Sequence, residues 1–129
     1  MQTGYFNDEQ REYVIENMHP RRPLRNFLWN AQTIADIDQF AQGPTKACIE
    51  KQFRVICDAR AVYIKDRETG EYFEALKNDG RLPLKKHFAR VGQGTHTVES
   101  EYFGIRSEFT MLIPQADYAE VQCIRVSNT

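Results

Sequence analysis

The chain has 129 residues, of which 41% are hydrophobic and 27% are charged, a composition typical of a folded globular protein. A chain of this length can bury one sizeable core, so the sequence predicts a single domain over residues 1–129. Its 17 basic residues are balanced by 18 acidic ones. This balance argues against a nucleic-acid partner, because nucleic-acid binders carry an excess of positive charge on one face.

The N-terminus shows no targeting segment. It has neither the basic start nor the apolar stretch of a signal peptide, and no later apolar run is long enough to span a bilayer. We therefore expect a cytoplasmic protein with no membrane partner. The three cysteines, Cys48, Cys57 and Cys123, form no CxxC pair, so the sequence predicts buried thiols and neither disulfides nor a zinc site.

The first predicted element is a β-hairpin. Residues 4–6 and 12–15 have the apolar character of short strands, and Asn7 and Asp8 between them suit a turn. Residues 19–23 follow with two prolines, which fix the backbone and lack an N–H group. They predict an extended connection.

Helix and strand compete in the next segment. Residues 24–29 are aromatic and apolar enough to face inward. In residues 31–41, Ile34, Ile37 and Phe40 fit a short amphipathic helix about as well as a strand, and local propensity favours the helix.

After residue 47 the strand signal predominates, and turns rich in Gly, Pro, Asp or Asn separate the strands. Residues 105–113 alternate between an apolar set that includes Phe109 and a polar set that includes Glu108, the period of a half-buried strand. Strands are predicted over residues 53–56, 61–65, 71–74, 84–91, 95–102, 105–113 and 119–126. This pattern predicts an all-β fold, an antiparallel β-sandwich, with at most one short helix near residues 31–41.

Three carboxylates are candidates for acid–base chemistry. Glycosidases use two carboxylates that face each other across the scissile bond, and Glu99, Glu101 and Glu108 lie close together in the sequence. Glu99 and Glu101 share a strand face and lie about 7 Å apart by strand rise. A solvated polar face needs the same pattern, and we favour that interpretation. No catalytic residue is therefore predicted.

Histidines and basic clusters give no stronger signal. His19, His87 and His96 lack the spacing of metal ligands, so neither a metal nor a cofactor is predicted. The basic clusters at residues 85–90 and 21–25 could hold a phosphate, but acidic neighbours balance them. A solvated face is the favoured interpretation of both.

Trp29, the single tryptophan, could join Phe27, Phe40 and Tyr63 in a platform for a sugar ring, or all four could belong to the core. In so aromatic a chain we favour the core. If a carbohydrate binds, the candidate contact residues are Trp29, Phe40 and Gln42.

Read in order, several segments resemble the cellobiose and chitobiose phosphorylase family. Residues 4–8, GYFND, and 11–15, REYVI, are similar to the family's opening G-[HY]-F-[DN]-[DN] and R-E-Y-V-I segments. Further similar segments are residues 22–28 (RPLRNFL), 62–73 (VYIKDRETGEYF), 100–108 (SEYFGIRSE) and 120–129 (EVQCIRVSNT). The resemblance therefore covers almost the whole chain in the family's order.

The resemblance implies a supersandwich-like N-terminal β-sandwich domain, with the family's active site on an (α/α)6 barrel that these residues do not include. In the family, an Asp of the barrel protonates the leaving oxygen while inorganic phosphate attacks the anomeric carbon with inversion. Phosphate is thus a substrate of the full-length glycosyl-transferring enzyme and not a cofactor of this chain. No catalytic or phosphate-binding motif of the family has a counterpart here, so the 129 residues alone are not expected to be an enzyme.

Residues 40–45, FAQGPT, depart from a Gly-Gly-Tyr-Ser-Phe-like segment of many members, which suggests a divergent branch. The expected function is a non-catalytic domain or fragment that scaffolds the active site and a homodimer. The alternative is a free-standing carbohydrate-binding or interaction module. The partners considered are a second copy, a separate catalytic domain and an oligosaccharide.

Overall fold

The computed structural model describes residues 2–80 and 82–129. Those residues form twelve β-strands and no helix, which confirms the all-β prediction. They therefore also contain no helix with the length and hydropathy to cross a bilayer. The strands are β1 (Gly4–Asn7), β2 (Glu12–Ile15), β3 (Asn26–Trp29), β4 (Thr33–Ile37), β5 (Thr45–Ile49), β6 (Gln52–Cys57), β7 (Tyr63–Lys65), β8 (Tyr72–Glu74), β9 (Lys86–Gly92), β10 (Thr95–Tyr102), β11 (Ile105–Leu112) and β12 (Val121–Asn128).

Three antiparallel sheets make up the fold. Six strands pair in the order β1-β2-β9-β10-β11-β12, four in the order β3-β4-β5-β6, and β7 pairs with β8 alone. Most neighbours are hairpin partners, since antiparallel strands can be joined by short turns. The exception is the pairing of β2 with β9, which joins the N-terminal hairpin to the long strands of the C-terminal half.

The predicted N-terminal hairpin is present. Its turn is closed by the side chain of Asn7, whose Oδ1 accepts a hydrogen bond from the backbone N–H of Gln10 at 3.3 Å. Gly4 pairs with Ile15 so closely that a Cβ at this position would lie 1.9 Å from the carbonyl oxygen of Val14. Only glycine fits there, because any side chain would displace the partner strand.

The preference for a helix over residues 31–41 is wrong, because this segment contains β4. Thr33, Ala35 and Ile37 point into the core, whereas Ile34 and Asp36 on the other face are half-buried. This alternation is the period of a strand. Pairing with β3 and β5 on both sides supplies backbone hydrogen bonds that an isolated segment lacks, and tertiary context overrides the local helix propensity.

The core lies between the six-stranded and four-stranded sheets. The alternation predicted for residues 105–113 is present, because Phe109 and Met111 are buried while Glu108 on the opposite face is half-buried. Leu28 and Ile37 enter the same core from the four-stranded sheet. Burial of each such side chain stabilises the fold by roughly 1.5–3 kcal/mol.

Two burial predictions are wrong. Of residues 24–29, Leu28 is buried, but the side chains of Phe27 and Trp29 are 54% and 71% exposed because they lie on the outer face of the four-stranded sheet. The free cysteines are also less buried than predicted: Cys48 and Cys57 are half-buried and Cys123 is exposed. Cys123 lies on β12, an edge strand whose residues are all exposed.

We expect Phe109→Ala to destabilise the chain by about 3–5 kcal/mol, since it removes a 1% exposed ring from the core and leaves a cavity. The matched control is Phe27→Ala, where the ring is exposed and the expected change is within about 0.5 kcal/mol. Urea denaturation of both variants measures the difference. Similar midpoints for the two variants would contradict the assignment of Phe109 to the core.

Candidate functional site

A cleft of about 790 Å³ lies beside the β7–β8 hairpin. The lining residues are Gln42, Arg60, Ala61, Tyr63, Thr69, Gly70, Glu71, Tyr72, Phe73, Glu74, Lys77, Asn78, Asp79, Leu82 and Tyr102. Its volume falls within the roughly 300–1,000 Å³ of small-molecule sites. Aromatic side chains and carboxylates are both prominent in its lining.

The hairpin that forms one wall is shaped by its turn. The carboxylate of Asp66 accepts hydrogen bonds from the backbone N–H of Glu68 and from the hydroxyl of Thr69, both at 2.9 Å. These hydrogen bonds lower the pKa of Asp66, and the bond from the backbone of Glu68 has the largest effect. Gly70 closes the turn with φ of 78°, a left-handed conformation that favours glycine.

The two faces of the hairpin have different roles. Ile64 and Phe73 are paired on one face, and the buried Phe73 ring packs edge-on against Tyr102 and Phe103. Tyr63 and Tyr72 lie on the other face with 66% and 63% exposure. The first face therefore anchors the hairpin to the six-stranded sheet, and the second presents two tyrosine rings to the cleft.

The segment after β8 is also held in place. Glu74 accepts hydrogen bonds from the backbone N–H groups of Leu76 and Lys77. Burial outweighs these bonds and raises the pKa of Glu74. The hydroxyl of Ser100 donates to the carbonyl of Ala75, and Nε2 of His87 donates to the carbonyl of Leu76 at 3.0 Å.

Asn78 and Gln42 also contribute to the frame of the cleft. The side-chain amide of Asn78 donates to the carbonyl of Leu82 at 2.7 Å and so closes the loop at the cleft rim. Gln42 donates its amide to the carbonyl of Arg60 at 2.7 Å and accepts from the N–H of Arg60 at 3.2 Å. Both amides are thus used within the protein.

Arg60 is almost completely buried next to the cleft. Its Nε donates to Glu120 at 2.6 Å, Nη1 donates to the carbonyls of Ala41 and Gly43, and Nη2 donates to Thr45 and Glu120. Burial alone would raise the pKa of Glu120, but hydrogen bonds from Arg60 and Thr45 outweigh it and lower that pKa. The pair is therefore a structural ion pair.

The structure separates the three candidate carbohydrate-binding residues. Gln42 lines the cleft, but Phe40 is buried between the rings of His19 and His87, and Trp29 lies on the outer face of the four-stranded sheet. The proposed core role of all four aromatics is wrong for Phe27, Trp29 and Tyr63, which are exposed.

Sequence reasoning missed Glu71, Tyr72 and Tyr102 as cleft residues. Tyr63 and Tyr72 flank a recognisable turn, so the hairpin itself was the available signal. Tyr102 comes from β10, and nothing local in the sequence connects it with the hairpin.

The carboxylates of the long strands are not a solvated face. Glu99 is buried between Arg90 at 2.8 Å and Arg106 at 2.5 Å. Glu101 is buried as well, and a hydrogen bond from Lys85 at 2.6 Å lowers its pKa. The prediction of solvation is wrong because both carboxylates lie on the central strand β10, where neighbouring strands cover them with cationic side chains.

Ion pairs with nearby carboxylates also account for part of each basic cluster. Arg90 also contacts Glu12 at 3.2 Å and Glu108 at 3.1 Å, and Arg25 contacts Asp36 at 2.6 Å. These cations are neutralised by carboxylates of the chain itself, as the sequence suggested. Arg25 and Arg90 are thus engaged in ion pairs, whereas Arg21 and Arg22 are exposed and make no ion pair with a described residue.

His96 is a buried link between the two large sheets. Asn26 donates its side-chain amide to Nδ1 at 3.2 Å, and Nε2 therefore donates its hydrogen to the carbonyl of Gln39 at 3.2 Å. Burial lowers the pKa of His96 to about 4, so the ring is neutral near pH 7. Burial lowers the pKa of His87 as well. Among residues 2–80 and 82–129, no group of His, Cys, Asp or Glu side chains could hold a metal ion.

A family model and individual relatives of known function place the chain in the same family. Residues 11–129 match the family model described as glycosyl hydrolase 94, supersandwich domain. A 3-O-beta-D-glucopyranosyl-beta-D-glucuronide phosphorylase of Paenibacillus borealis is 30% identical over 98% of this chain and 16% of its own length.

Two further relatives are also phosphorylases. A solabiose phosphorylase of Paenibacillus borealis is 26% identical over 97% of this chain and 18% of its own length. An N,N'-diacetylchitobiose phosphorylase of Vibrio furnissii is 26% identical over 100% of this chain and 18% of its own length. The chain thus spans less than a fifth of each of these proteins.

We expect the free energy of unfolding to fall as the pH falls from 6.5 toward 4. In that range the unfolded state protonates His96, whose ordinary pKa is 6.5, while the folded state, with its pKa of about 4, does not. The expected slope is about 1.4 kcal/mol per pH unit. Urea denaturation at pH 6.5 and pH 5 measures it.

The matched variants are His96→Gln, which removes the buried imidazole, and His19→Gln, which replaces an exposed one. His96→Gln should have a shallower pH dependence than the wild type, whereas His19→Gln should retain the wild-type slope. Equal slopes in all three proteins would show that His96 does not control the acid response.

Proposed function

Because the chain belongs to the glycosyl hydrolase 94 supersandwich family, we propose that it is the non-catalytic N-terminal portion of an inverting glycoside phosphorylase. The observation that carries the proposal is the family match over residues 11–129, supported by relatives that are all named as phosphorylases. In the whole protein, a glycosyl group would pass to inorganic phosphate. The glycosidic bond breaks, a new bond forms between the anomeric carbon and a phosphate oxygen, and the leaving oxygen takes a proton.

The geometry supports a non-catalytic role for Glu74, Glu99 and Glu101. Acid–base catalysis requires a carboxyl group that is free to exchange a proton with the substrate. Glu99 and Glu101 are instead buried in ion pairs, and both oxygens of Glu74 accept backbone N–H groups. These three carboxylates are thus poor proton donors, which fits a proton donor and a phosphate site in the remainder of the polypeptide.

The outer face of the four-stranded sheet supports a scaffolding role. Register places Trp29 beside Ile34, Ile34 beside Lys46, and Lys46 beside Val55, in one row across the sheet. Phe27 and Phe53 lie on the same face. We define Phe27, Trp29, Ile34, Phe53 and Val55 as the apolar outer face.

Exposed apolar patches of this kind mark interaction sites. The relatives are about six times as long as this chain, so the partner that best fits the face is the catalytic remainder of the same polypeptide. Contact there would hold the sandwich against the active site. A homodimer formed through the same face is the alternative occupant.

The first test is the size and activity of the native gene product. We expect an antibody against this chain to detect, in the source cells, a polypeptide about six times heavier than 15.1 kDa. Once purified, that polypeptide should release a sugar 1-phosphate from a disaccharide and inorganic phosphate. A native product of 15.1 kDa without that activity would contradict the proposal and favour a free-standing carbohydrate-binding or interaction module.

The second test is Trp29→Asp in two contexts. In the 129-residue chain the side chain is exposed, so the change should alter stability by no more than about 0.5 kcal/mol. In the full-length protein, where we propose that the ring is buried against the catalytic part, the loss should reach about 2 kcal/mol or more and lower the melting temperature.

Tyr118→Asp is the control, because Tyr118 is also exposed but lies on the connection between β11 and β12. It should be neutral in both contexts. Equal effects of Trp29→Asp in the two contexts would contradict a contact through the apolar outer face. A chain that is dimeric until Trp29 is replaced would assign that face to a second copy.

A further inference from the structure

The polar groups of the cleft fall into two sets. Glu74, Asn78 and Gln42 use their side-chain oxygens or amides to bond the backbone, and they hold the cleft in shape. The hydroxyls of the tyrosines and the carboxylate of Glu71 make no hydrogen bond to any described residue. The tyrosines concerned are Tyr63, Tyr72 and Tyr102. The first set is thus hydrogen-bonded within the protein, whereas the tyrosine hydroxyls and the Glu71 carboxylate are available to a ligand.

The aromatic rings of the cleft suit a ligand with flat apolar faces and polar edges. The centroids of Tyr63 and Tyr72 are 6.5 Å apart and their planes are inclined by 59°. Both rings are exposed to water, although burial of a ring as large as that of tyrosine is strongly favourable. A pyranose ring has apolar C–H faces that stack on such rings and hydroxyl edges that bond phenols and carboxylates.

The charge of the cleft restricts the ligand further. Of its described lining residues, Arg60 and Lys77 are cationic, and each faces a carboxylate. Arg60 forms an ion pair with Glu120, and Nζ of Lys77 lies 3.8 Å from a carboxylate oxygen of Asp79. Glu71 has no such partner among residues 2–80 and 82–129, so the net charge of the described lining residues is negative. A negative cleft disfavours phosphate and acidic sugars.

From these observations we infer that the cleft between the β7–β8 hairpin and the loop around Asn78 binds an uncharged oligosaccharide. Tyr72 and Tyr63 provide the stacking surfaces, and Glu71 accepts hydrogen bonds from sugar hydroxyls. This site goes beyond the scaffolding role, because it gives the chain a carbohydrate contact of its own that requires no catalytic residue.

The test is a titration of the isotopically labelled chain, followed by backbone amide chemical shifts. The neutral probes are cellotriose and N,N'-diacetylchitobiose, and the acidic probe is a cello-oligosaccharide of the same length as cellotriose that ends in glucuronic acid. We expect saturable shifts for at least one neutral probe, centred on residues 63–74 and 77–79. The acidic probe should bind about three-fold more weakly, because Glu71 repels it.

Tyr72→Ala should weaken binding of the neutral probe about ten-fold, because the stacking surface is lost. Its melting temperature should be unchanged, since the ring is exposed. Tyr118→Ala is the matched control and should bind like the wild type. Glu71→Gln should abolish the preference for the neutral probe over the acidic one.

Three outcomes would overturn the inference: no saturable shift with either neutral probe, shifts centred on the apolar outer face, or equal binding by Tyr72→Ala and the wild type. The result is separable from the proposed function. A chain that binds the neutral probe while the native product lacks phosphorylase activity leaves the cleft in place and removes the phosphorylase assignment. If the native product is a phosphorylase but the 129-residue chain binds no neutral probe, the phosphorylase assignment stands and the cleft inference falls.

Discussion

The buried guanidinium of Arg60 is the constraint on which the arrangement of the sheets depends. It donates to the carbonyls of Ala41 and Gly43, to Thr45 on β5, and to Glu120 just before β12. Each of its hydrogen-bond donors is used, as a charge removed from water requires. Thr45 belongs to the four-stranded sheet and Glu120 leads into the six-stranded one, so a single side chain fixes the separation of the two sheets at this end.

The hydrogen bonds around Arg60 also fix the position of the cleft. Arg60 lies three residues before β7, and the amide of Gln42 bonds both backbone groups of Arg60. The start of the β7–β8 hairpin is thereby tied to the turn that precedes β5. At its other side the hairpin is tied by Phe73, which packs against Tyr102 and Phe103. A two-stranded hairpin is marginal in isolation, and these two anchors are what give it a defined wall facing the cleft.

The features that sequence could predict are those set by local chemistry. Turn residues and period-two alternation identified the N-terminal hairpin, the β7–β8 hairpin and the core face of β11, since each depends on neighbours within a few residues. Whether Glu99 is buried or Trp29 exposed depends on which sheet face is covered, and that is a matter of long-range packing. The Arg60–Glu120 pair, separated by 60 residues, has no local signature at all. The cleft combines local and long-range features. Its β7–β8 hairpin could be predicted from the sequence, whereas the approach of Tyr102 to that hairpin could not.

The outer faces of the two large sheets differ in their balance of charged and apolar side chains. On the six-stranded sheet, Arg90 pairs with Glu12, Glu99 and Glu108, so the charges of cationic and anionic side chains largely neutralise each other. Such a face gains little from further contact, since covering it would desolvate charges that are already paired. The apolar outer face of the four-stranded sheet has the opposite property, because covering it removes aromatic surface from water. Burial of the apolar outer face would therefore release more free energy than burial of the ion-paired face.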